Sequence, residues 1–343
     1  MEHWTKQNIG GQTLFWAGKK AAGELADICR GRRCFVLADA NAYKLHRSAL
    51  KGIKQIGRLV LRAGEYQKEL SAVSKVLAKL HASGASKDSF LVALGGGTVT
   101  DIGLCAATVY RGGIGYAAVP STLLAAAEGC AVSGSYMLDL GSFFDGLSGV
   151  GRIDAAVIDS SVLRTQTPEL AAGGLGALLR RALAGGELLD YLKENYEKIL
   201  RSEQDAIERA VLLAARAESF PAGLAAGAVM SRAVLACADY QLTYGEARLL
   251  GMHFEHLIAQ KITGISSPFR ESISDMIFNI FRTRPQLKAS YPLLSVLRRD
   301  YTGGTDSVPL TLFDAPGKPS VLELSEKELF RAVEELDIDG AEQ

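Results

Sequence analysis

A run of three glycines, Gly95-Gly96-Gly97, constrains the fold of this chain more than any other feature. The apolar segment Ser89–Leu94 precedes it and predicts a buried strand, and the Ala- and Leu-containing segment Thr98–Tyr110 follows it and predicts a helix. A strand, a glycine turn and a helix in this order let backbone N–H groups approach a pyrophosphate. Glycine suits such a turn because a Cβ atom would hold the phosphate away. The pattern favours a nucleotide-binding turn, although a tight loop without a ligand also fits the local sequence.

Short apolar segments alternate with helical ones through the first half of the chain. Strands are predicted at Gln12–Gly18, Arg33–Ala38, Gly57–Leu61, Gly115–Val119 and Ala155–Asp159. A helix with one apolar face is predicted at Ser71–Ser83. Strands that alternate with helices are typical of a parallel, doubly wound α/β sheet.

Polar residues follow three of these strands, at the edge where open α/β sheets bind ligands. The residues are Asp39, Asn41, Glu65, Lys68, Ser121 and Thr122. For Asp39 a second interpretation is equally open, because an Asp before a helix also serves as its N-cap.

The second half of the chain has a different composition. From Glu169 to about Ala259 it is rich in Ala and Leu with helical periodicity. Ser325 with Glu328 forms a capping box that predicts a final helix, and the segment Pro309–Phe313 can form an edge strand. We therefore expect an α/β domain at residues 1–160 and an all-helical domain at residues 161–343.

Composition excludes several classes of partner. The chain has 38 Lys and Arg against 38 Asp and Glu, so nothing points to nucleic acid or an anionic membrane. No apolar stretch reaches the length of a membrane span, and no signal peptide is visible. The five cysteines are scattered without a Cys-x-x-Cys pair, which is typical of buried thiols in a reducing compartment. We expect a cytoplasmic protein.

The order of the motifs resembles the 3-dehydroquinate synthase family of sugar phosphate cyclases. The segments that carry the resemblance are Leu94–Asp101, Ala106–Gly112, Val119–Ala125, Ala156–Asp159, Pro168–Gly173, Tyr244–Met252 and Arg298–Asp300. The resemblance implies an NAD-binding α/β domain, a helical domain and a homodimer. It also implies a lyase of the shikimate pathway, which leads to aromatic amino acids, with NAD and a divalent metal as cofactors.

The resemblance also assigns residues to the NAD site. They are Asp39, Asn41, Glu65, Lys68, Gly95, Gly96, Gly97, Asp101, Ser121 and Thr122. Arg111 matches an arginine that contacts substrate phosphate, often across the dimer, and a helix C-terminal cap is its alternative role. Thr100 stands where the family prefers Gly, and its Cβ atom is expected to crowd the diphosphate and weaken NAD binding.

The chain departs from the family at the metal. The family's ligands are one Glu and two His, and the alignment places Gly176, Arg232 and Tyr244 at these positions. Gly has no side chain, Arg is always protonated and Tyr is rarely a zinc ligand, so we expect no divalent metal there. Substrate-holding Lys and Asn residues are also replaced, at Gly134, Phe144, Asp145, Leu179, Tyr301 and Thr302.

Other residues could compensate for the missing ligands. His253 and His256 share a helix face and could form a displaced metal site with Glu246 or Glu255, but a partly exposed pair of helix residues is favoured. Arg232 could replace the charge of the metal, pair with Asp239 or Glu246, and bind an anionic ligand such as a phosphate or a nucleotide. Arg180 and Arg181 are interpreted as a solvated helix face.

Three hypotheses follow from these residues. The first is a 3-dehydroquinate synthase-like protein whose metal and phosphate residues are replaced, a degenerate homologue or pseudoenzyme of altered function. The second is an active synthase, a carbon–oxygen lyase that eliminates phosphate and closes a carbocycle, with an atypical site. The third is an NAD-dependent polyol dehydrogenase on a related scaffold.

Overall fold

The structure is a computed structural model, and it describes residues 1–8, 10–141, 143–218, 220–238, 242–281, 295–297 and 307–335. The chain divides into two compact units. The first unit comprises Met1–Gln166 and Ser202–Arg216, and the second comprises Thr167–Arg201 and Ala217–Gln343.

The first unit is built on a seven-stranded sheet with the order β1-β2-β9-β6-β5-β3-β4. The strands of this unit are β1 (Glu2–Asn8), β2 (Gly11–Gly18), β3 (Arg33–Asp39), β4 (Gln55–Leu61), β5 (Ser89–Gly95), β6 (Gly115–Pro120), β7 (Ser135–Leu140), β8 (Phe143–Val150) and β9 (Ala155–Asp159). Of the described strands in this sheet, only β1 runs antiparallel to its neighbour. The predicted doubly wound, mainly parallel sheet is confirmed.

Helices flank the sheet in the first unit. They are α1 (Leu25–Ile28), α2 (Ala40–His46), α3 (Leu70–Ala82), α4 (Gly97–Val109), α5 (Leu123–Ala127), α6 (Cys130–Ser133), α7 (Ser160–Leu163) and α10 (Gln204–Arg216). The central strand β5 is buried along its whole length, which explains its unbroken apolar sequence.

The strand order creates a switch point between β3 and β5. β3 pairs with β4 on one side and with β5 on the other, and the strands after β5 continue away from β3. Ligands of open α/β sheets bind outside the carboxyl ends of the strands at such a point. The ends of these two strands carry Asp39 and Gly95, two of the predicted site residues.

Two features of the first unit were not predicted from sequence. β1 forms an antiparallel edge against β2, and β7 pairs with β8 in a separate hairpin. The strand β8 contains Gly, Ser and Asp, which have low strand propensity, so its sequence alone gave no strand signal.

The second unit is mainly helical. Its helices are α8 (Pro168–Ala182), α9 (Glu187–Leu200), α11 (Pro221–Ala225), α12 (Ala228–Cys237), α13 (Tyr244–Thr263), α14 (Pro268–Phe281) and α15 (Glu326–Glu334). The capping box of Ser325 and Glu328 begins α15, as predicted. The predicted edge strand lies in β10 (Val308–Ala315), which pairs with β11 (Lys318–Leu324), so a β-hairpin accompanies the helices.

The observed division of the chain differs from the predicted one at two places. Residues 161–166 and helix α10 belong to the first unit, whereas the sequence grouped them with the helical domain. The hydroxyl of Ser160 donates to Glu208 on α10 at 2.7 Å, and Lys6 donates to the carbonyl of Ala215 at 2.7 Å. These contacts are distant in sequence, so helical periodicity could not reveal them.

Among the described residues, no single helix has both the length and the apolar character needed to cross a membrane.

Candidate functional site

The glycine turn connects β5 to α4 at the switch point. A Cβ atom on Gly95 would lie 2.7 Å from Cβ of Val99 and 2.8 Å from Oδ2 of Asp39. No side chain caps α4 at Gly96, as far as the described residues show. The N-terminal amides of this 13-residue helix are thus placed to bind an anion, because the helix dipole concentrates positive charge there.

Predicted polar residues surround this turn. Asp39 caps α2 by accepting a hydrogen bond from the amide of Ala42 at 2.8 Å, so the capping role is confirmed. Thr122 caps α5, and its Cγ2 would lie 3.2 Å from a Cβ atom on Gly96. The amide of Ser121 donates to the carbonyl of Gly95 at 2.8 Å. The structure therefore brings the residues of three strand ends together.

Asn41 and Thr100 lie at the edges of this arrangement. Asn41 is exposed on the first turn of α2. Thr100 is only 1% exposed, and its hydroxyl donates back to the carbonyls of Gly96 and Gly97 at 3.2 and 3.1 Å. The Thr100 side chain is therefore packed within the protein, and the expected crowding of the diphosphate by this residue has no support in its position.

A second polar group is centred on the ammonium of Lys68. Its Nζ lies 3.3 Å from Asp101, 3.6 Å from Glu65 and 3.7 Å from Asp145. Glu65 also accepts a hydrogen bond of 2.5 Å from the hydroxyl of Thr98 on α4. The predicted residues Glu65, Lys68 and Asp101 thus form one ion cluster beside the glycine turn.

The hairpin of β7 and β8 contributes residues that the sequence did not assign to this cluster. The amide of Asp139 donates to the carbonyl of Lys68 at 2.7 Å, and Asp139 accepts from the amide of Asp145 at 2.8 Å. Asp145 has a φ angle of 50°, which a non-glycine residue rarely adopts. The resemblance aligned this position with a substrate-binding residue, but no local signal linked it to Lys68.

Burial shapes the electrostatics of this cluster. Burial raises the pKa of Asp101 to about 6, although the charge of Lys68 lowers it. Burial also raises the pKa of Asp139 to about 6, against hydrogen bonding from Asp145 and the charge of Lys68. The cluster therefore carries more carboxylate than ammonium charge above pH 6, and its one lysine is surrounded by acids.

Arg111 is not brought to the glycine turn. It follows the opposite end of α4, about 20 Å away at 1.5 Å per helical residue. Its φ angle is 51°, and it lines an open cavity of about 520 Å³ together with His81, Ser86 and Lys87. Arg111 is therefore not one of the residues that surround the glycine turn of its own chain.

In the second unit, the position aligned with the family's metal-binding Glu is a contact between helices. A Cβ atom on Gly176 of α8 would lie 2.5 Å from Cγ of Leu249 on α13. Leu249 is 0% exposed. One turn earlier, a Cβ atom on Gly245 would lie 2.5 Å from Cα of Gly173, so the two backbones nearly touch. No side chain can project from position 176 without moving Leu249.

The other two aligned positions carry poor metal ligands. Arg232 is half-buried on α12, and Tyr244 is half-buried at the first position of α13. Glu246, a proposed partner of Arg232, closes a capping box by accepting from the amide and hydroxyl of Thr243 at 2.8 Å each. The alternative partner Asp239 and the segments Arg298–Asp300 and Tyr301–Thr302 lie outside the described residues.

Two further positions, which the resemblance aligned with lysines of the family, are closely packed in this chain. Gly134 has a φ angle of 76°, and a Cβ atom there would lie 2.7 Å from Oδ1 of Asn8. Leu179 is 0% exposed on α8.

The interpretation of Arg180 and Arg181 as a solvated face is wrong. They are 0% and 7% exposed. Arg181 donates to the carbonyl of Ala217 at 3.1 Å, and Arg248 of α13 donates to the carbonyl of Leu224. These guanidinium groups hold the segment that leads into α12, a role that depends on acceptors remote in sequence.

Glu255 caps the N-terminus of α12, a role that no local sequence pattern indicates. Its buried carboxylate accepts hydrogen bonds from the amides of Gly227, Val229 and Met230 at 2.8, 2.9 and 3.2 Å. Burial raises the pKa of Glu255 to about 7, although these hydrogen bonds and the charge of Arg248 lower it. The N-terminus of α12 is thus bound to an internal anion.

The two histidines form a buried pair, so their interpretation as partly exposed residues is wrong. His253 and His256 share the face of α13 that contacts α14, and their Nδ1 atoms lie 3.1 and 3.4 Å from the hydroxyl of Ser274. Burial and the charge of His253 lower the pKa of His256 to about 3. Across the described part of the chain, no three His, Cys, Asp or Glu residues are grouped to hold a metal ion.

Comparison with known proteins agrees with this architecture. Residues 58–170 match the family model of the 3-dehydroquinate synthase N-terminal region. The 3-dehydroquinate synthase of Thermoanaerobacter sp. (strain X514) is 25% identical over 328 residues, covering 89% of this chain and 90% of that protein.

Solved structures share the fold at low sequence identity. A 2-deoxy-scyllo-inosose synthase complexed with carbaglucose-6-phosphate, NAD+ and Co2+ is 17% identical with a TM-score of 0.77, over 97% of this chain and 100% of that chain. An iron-containing alcohol dehydrogenase from Thermococcus thioreducens is 15% identical with a TM-score of 0.66, over 97% of this chain and 98% of that chain. The family model and the curated synthases show that this chain is similar to the 3-dehydroquinate synthase family, and the solved structures show that it shares their fold.

Proposed function

We propose that this chain is a degenerate 3-dehydroquinate synthase homologue that keeps a nucleotide-binding turn and lacks the family's metal-dependent cyclase chemistry. The observation that carries the proposal is the contact of Gly176 with Leu249. At the position where the family has a carboxylate ligand, this chain has neither a side chain nor space for one.

The residues aligned with the metal ligands do not fit a divalent metal. Gly176 offers no donor atom, the guanidinium of Arg232 stays protonated, and the phenol of Tyr244 is rarely a zinc ligand. Arg232 can supply positive charge to an anion such as a phosphate, but a guanidinium cannot ionise a substrate hydroxyl as a metal does. We therefore derive no catalytic step through a metal.

The first unit, in contrast, fits NAD. The amides at the start of α4 can bind the diphosphate, and Gly97 leaves the approach open because its Cβ atom would have no neighbour closer than 3.9 Å. Asp39 and Thr122 lie beside the turn, where they can bind hydroxyl or amide groups of the dinucleotide. Bound NAD supplies a hydride acceptor for a substrate hydroxyl.

We expect this binding to be weak. The ammonium of Lys68 lies within 3.7 Å of three carboxylates, so most of its charge is balanced before any ligand arrives. The surplus of carboxylates near Asp101 also repels an anionic diphosphate. Weak binding thus follows from the ion cluster rather than from Thr100.

A homodimer in the cytoplasm forms part of the proposal. Its support is the position of Arg111, which lies about 20 Å from the glycine turn of its own chain at 1.5 Å per helical residue and is thus placed to reach the turn of a second copy instead. The five free thiols favour a reducing compartment.

Two measurements on one preparation test the proposal. Metal analysis of the purified protein should find no stoichiometric zinc or cobalt, and the family's substrate should release no phosphate in the presence of NAD and zinc. The Thermoanaerobacter synthase, treated in parallel, is the positive control. Stoichiometric metal with turnover would instead establish an active synthase with an atypical site, and growth rescue of a strain lacking that activity would agree with it.

NAD binding is measured by calorimetry with a matched pair of glycine variants. Gly97→Ala places its methyl group in open space, so it should leave the fold intact and lower NAD affinity. Gly23→Ala also adds a methyl group in open space, away from the turn, and should leave affinity unchanged. Equal affinities for both variants would contradict the placement of the diphosphate at the turn, and tight binding to the wild-type apo protein would contradict the weak-binding expectation.

A further inference from the structure

An open cavity lies at the edge of the sheet where β5 begins. Its volume is about 520 Å³, and small-molecule sites typically enclose about 300–1,000 Å³. The end of α3 and the loop that leads into β5 form one wall, and Arg111, which follows α4, lies at the other. The cavity is therefore at the opposite end of β5 from the glycine turn.

Hydrogen bonds hold the two walls of the cavity in place. The hydroxyl of Tyr110 donates to the carbonyl of Ala85 at 3.1 Å, which joins the end of α4 to the loop before β5. Within that loop, the amide of Ser86 donates to the hydroxyl of Ser89 at 2.9 Å, and the amide of Ser89 donates to the carbonyl of Ser86 at 3.1 Å. The cavity is thus formed before a ligand arrives, so little ordering of the chain opposes binding.

Four basic side chains surround this cavity. His81, Lys87 and Arg111 line it, and all three are exposed. Arg33 is the first residue of β3, and its Nη2 atom lies 3.7 Å from the position that a Cβ atom on Gly84 would occupy. Because Gly84 lines the cavity, the guanidinium of Arg33 adds its charge to the same wall.

The charge of these four side chains is available to a ligand. In the part of the chain that the structure describes, no ion pair joins any of them to a carboxylate, and Asp88, next to Lys87 in the sequence, has no such pair either. Lys68 differs, since three carboxylates lie within 3.7 Å of its ammonium. A concave surface with uncompensated charge of one sign attracts ligands of the opposite sign.

We propose that this cavity binds a small molecule that carries two or more phosphate groups. An arginine matches phosphate oxygens with parallel N–H donors, and a lysine supplies a compact positive charge. Four basic groups around one cavity can neutralise more charge than a single phosphate carries. The inference is independent of the proposed function, because the glycine turn lies at the other end of β5 and the resemblance assigns none of Arg33, His81 and Lys87 to a ligand.

Protection of Lys87 from acetylation tests the proposal on the wild-type, full-length protein. The protein is acetylated briefly with and without tripolyphosphate at a constant ionic strength of about 0.15 M, and each lysine is followed by mass spectrometry. At ten times its Kd the ligand should slow acetylation of Lys87 about tenfold, because only the unoccupied fraction reacts. Lys193, an exposed lysine on α9 of the second unit, is the internal control and should react at an unchanged rate.

Calorimetry with charge-removing variants assigns the contacts. Lys87→Ala and Arg33→Ala should each weaken tripolyphosphate binding about tenfold or more, because each removes a charge-assisted hydrogen bond. Lys193→Ala is the matched control and should leave the affinity unchanged. All three side chains are exposed, so these variants should fold. Arg111 is left unchanged, because the proposed homodimer also involves it.

Two comparisons separate this cavity from the diphosphate site at the glycine turn. Gly97→Ala should leave the protection of Lys87 unchanged, and Lys87→Ala should leave NAD affinity unchanged. ATP should protect Lys87 as tripolyphosphate does, and stronger protection by ATP would identify a nucleotide as the source of the phosphates.

The proposal is overturned if millimolar tripolyphosphate does not protect Lys87, or if it protects Lys193 to the same extent. Equal losses of affinity in Lys87→Ala and Lys193→Ala would also overturn it, since they would show that only the overall charge matters. Loss of the protection in Gly97→Ala would place the anion at the glycine turn and not in the cavity.

Discussion

Adding one methyl group at position 176 tests whether this position, which the resemblance aligned with a metal-binding Glu, is a closely packed contact. In Gly176→Ala, the new Cβ atom would lie 2.5 Å from Cγ of Leu249 and 3.0 and 3.1 Å from its two Cδ atoms. Leu249 is fully buried and cannot swing into solvent. Overpacking of this kind costs about 1–3 kcal/mol, and Ala instead of Gly within a helix returns about 1 kcal/mol. We expect a net loss of about 1 kcal/mol in the free energy of unfolding.

The second variant removes the obstacle. Leu249→Ala should cost about 2–5 kcal/mol, because it leaves a cavity between α8 and α13. In the double variant, the methyl group added at position 176 enters that cavity, so the same Gly176→Ala change should now stabilise the protein by about 1 kcal/mol. The two substitutions should therefore be coupled by about 2 kcal/mol.

The assay is urea unfolding followed by far-ultraviolet circular dichroism for the wild type, both single variants and the double variant. Gly23→Ala is the control for the glycine-to-alanine change itself, because its methyl group meets no atom within 4 Å, and it should stabilise the protein by about 0.4–1 kcal/mol. Strictly additive effects at Gly176 and Leu249 would refute the reasoning. So would a Gly176→Glu variant that folds with wild-type stability and binds zinc, because it would show that a carboxylate has room there.

Three further results are expected. Lys68→Met should lower the free energy of unfolding by about 3 kcal/mol at pH 8, where it leaves the buried carboxylate of Asp101 without its cation. The loss should be smaller at pH 5, because Asp101, with its pKa of about 6, is protonated at that pH. An equal loss at pH 5 and pH 8 would contradict the pairing of these two side chains. Folding raises the pKa of Glu255 to about 7, so the stability that this group contributes is complete below pH 4.5 and declines by about 3 kcal/mol as the pH rises through 7. Glu255→Gln should remove this decline in the free energy of unfolding. Parallel curves of stability against pH for the wild type and the variant would contradict this role of Glu255. Arg111→Ala should leave the NAD affinity of the monomer, measured by calorimetry, unchanged, because Arg111 follows the end of α4 that is opposite the glycine turn. A loss of affinity in the monomer would contradict this placement of Arg111.

The glycine turn after β5 could be predicted because its determinants are local. The run Ser89–Gly95 is apolar almost throughout, so it is expected to be buried on both faces, and the glycines follow at once. Asp39 ends β3 and Thr122 follows β6, which are the two strands on either side of β5. Parallel strands bring their carboxyl ends to one edge of the sheet. The order of strands and helices in the sequence was therefore enough to predict that these residues lie close together.

The acids around Lys68 show where local reasoning ends. Asp139 reaches the cluster through pairing of the β7–β8 hairpin beside the Lys68 loop, about 70 residues away in sequence. Glu255 caps α12 from 28 residues away, whereas the capping box of Thr243 and Glu246 follows from a spacing of three. Long-range partners of charged side chains leave no periodic signal.

The same limit explains the error at Arg180 and Arg181. Arginines in the last turn of a helix usually complement its dipole in water, and the sequence of α8 offers nothing against that interpretation. The guanidinium of Arg181 is buried instead because it binds the carbonyl of Ala217, in a segment that passes beside α8. A buried arginine becomes tolerable only through such acceptors, which are known only once the chain is folded.

Under the proposed function, a single substitution at position 176 would not create a metal site. A glutamate at position 176 needs a smaller residue at 249, and that residue is part of the fully buried contact between α8 and α13. The beginning of α12, which carries Arg232, is fixed by the buried carboxylate of Glu255 through three amide hydrogen bonds. A carboxylate at position 176 would therefore disturb packing that now stabilises the contact between α8 and α13. In the proposed function, the absence of a metal-binding carboxylate at position 176 and the close packing of α8 against α13 are therefore two consequences of the same contact.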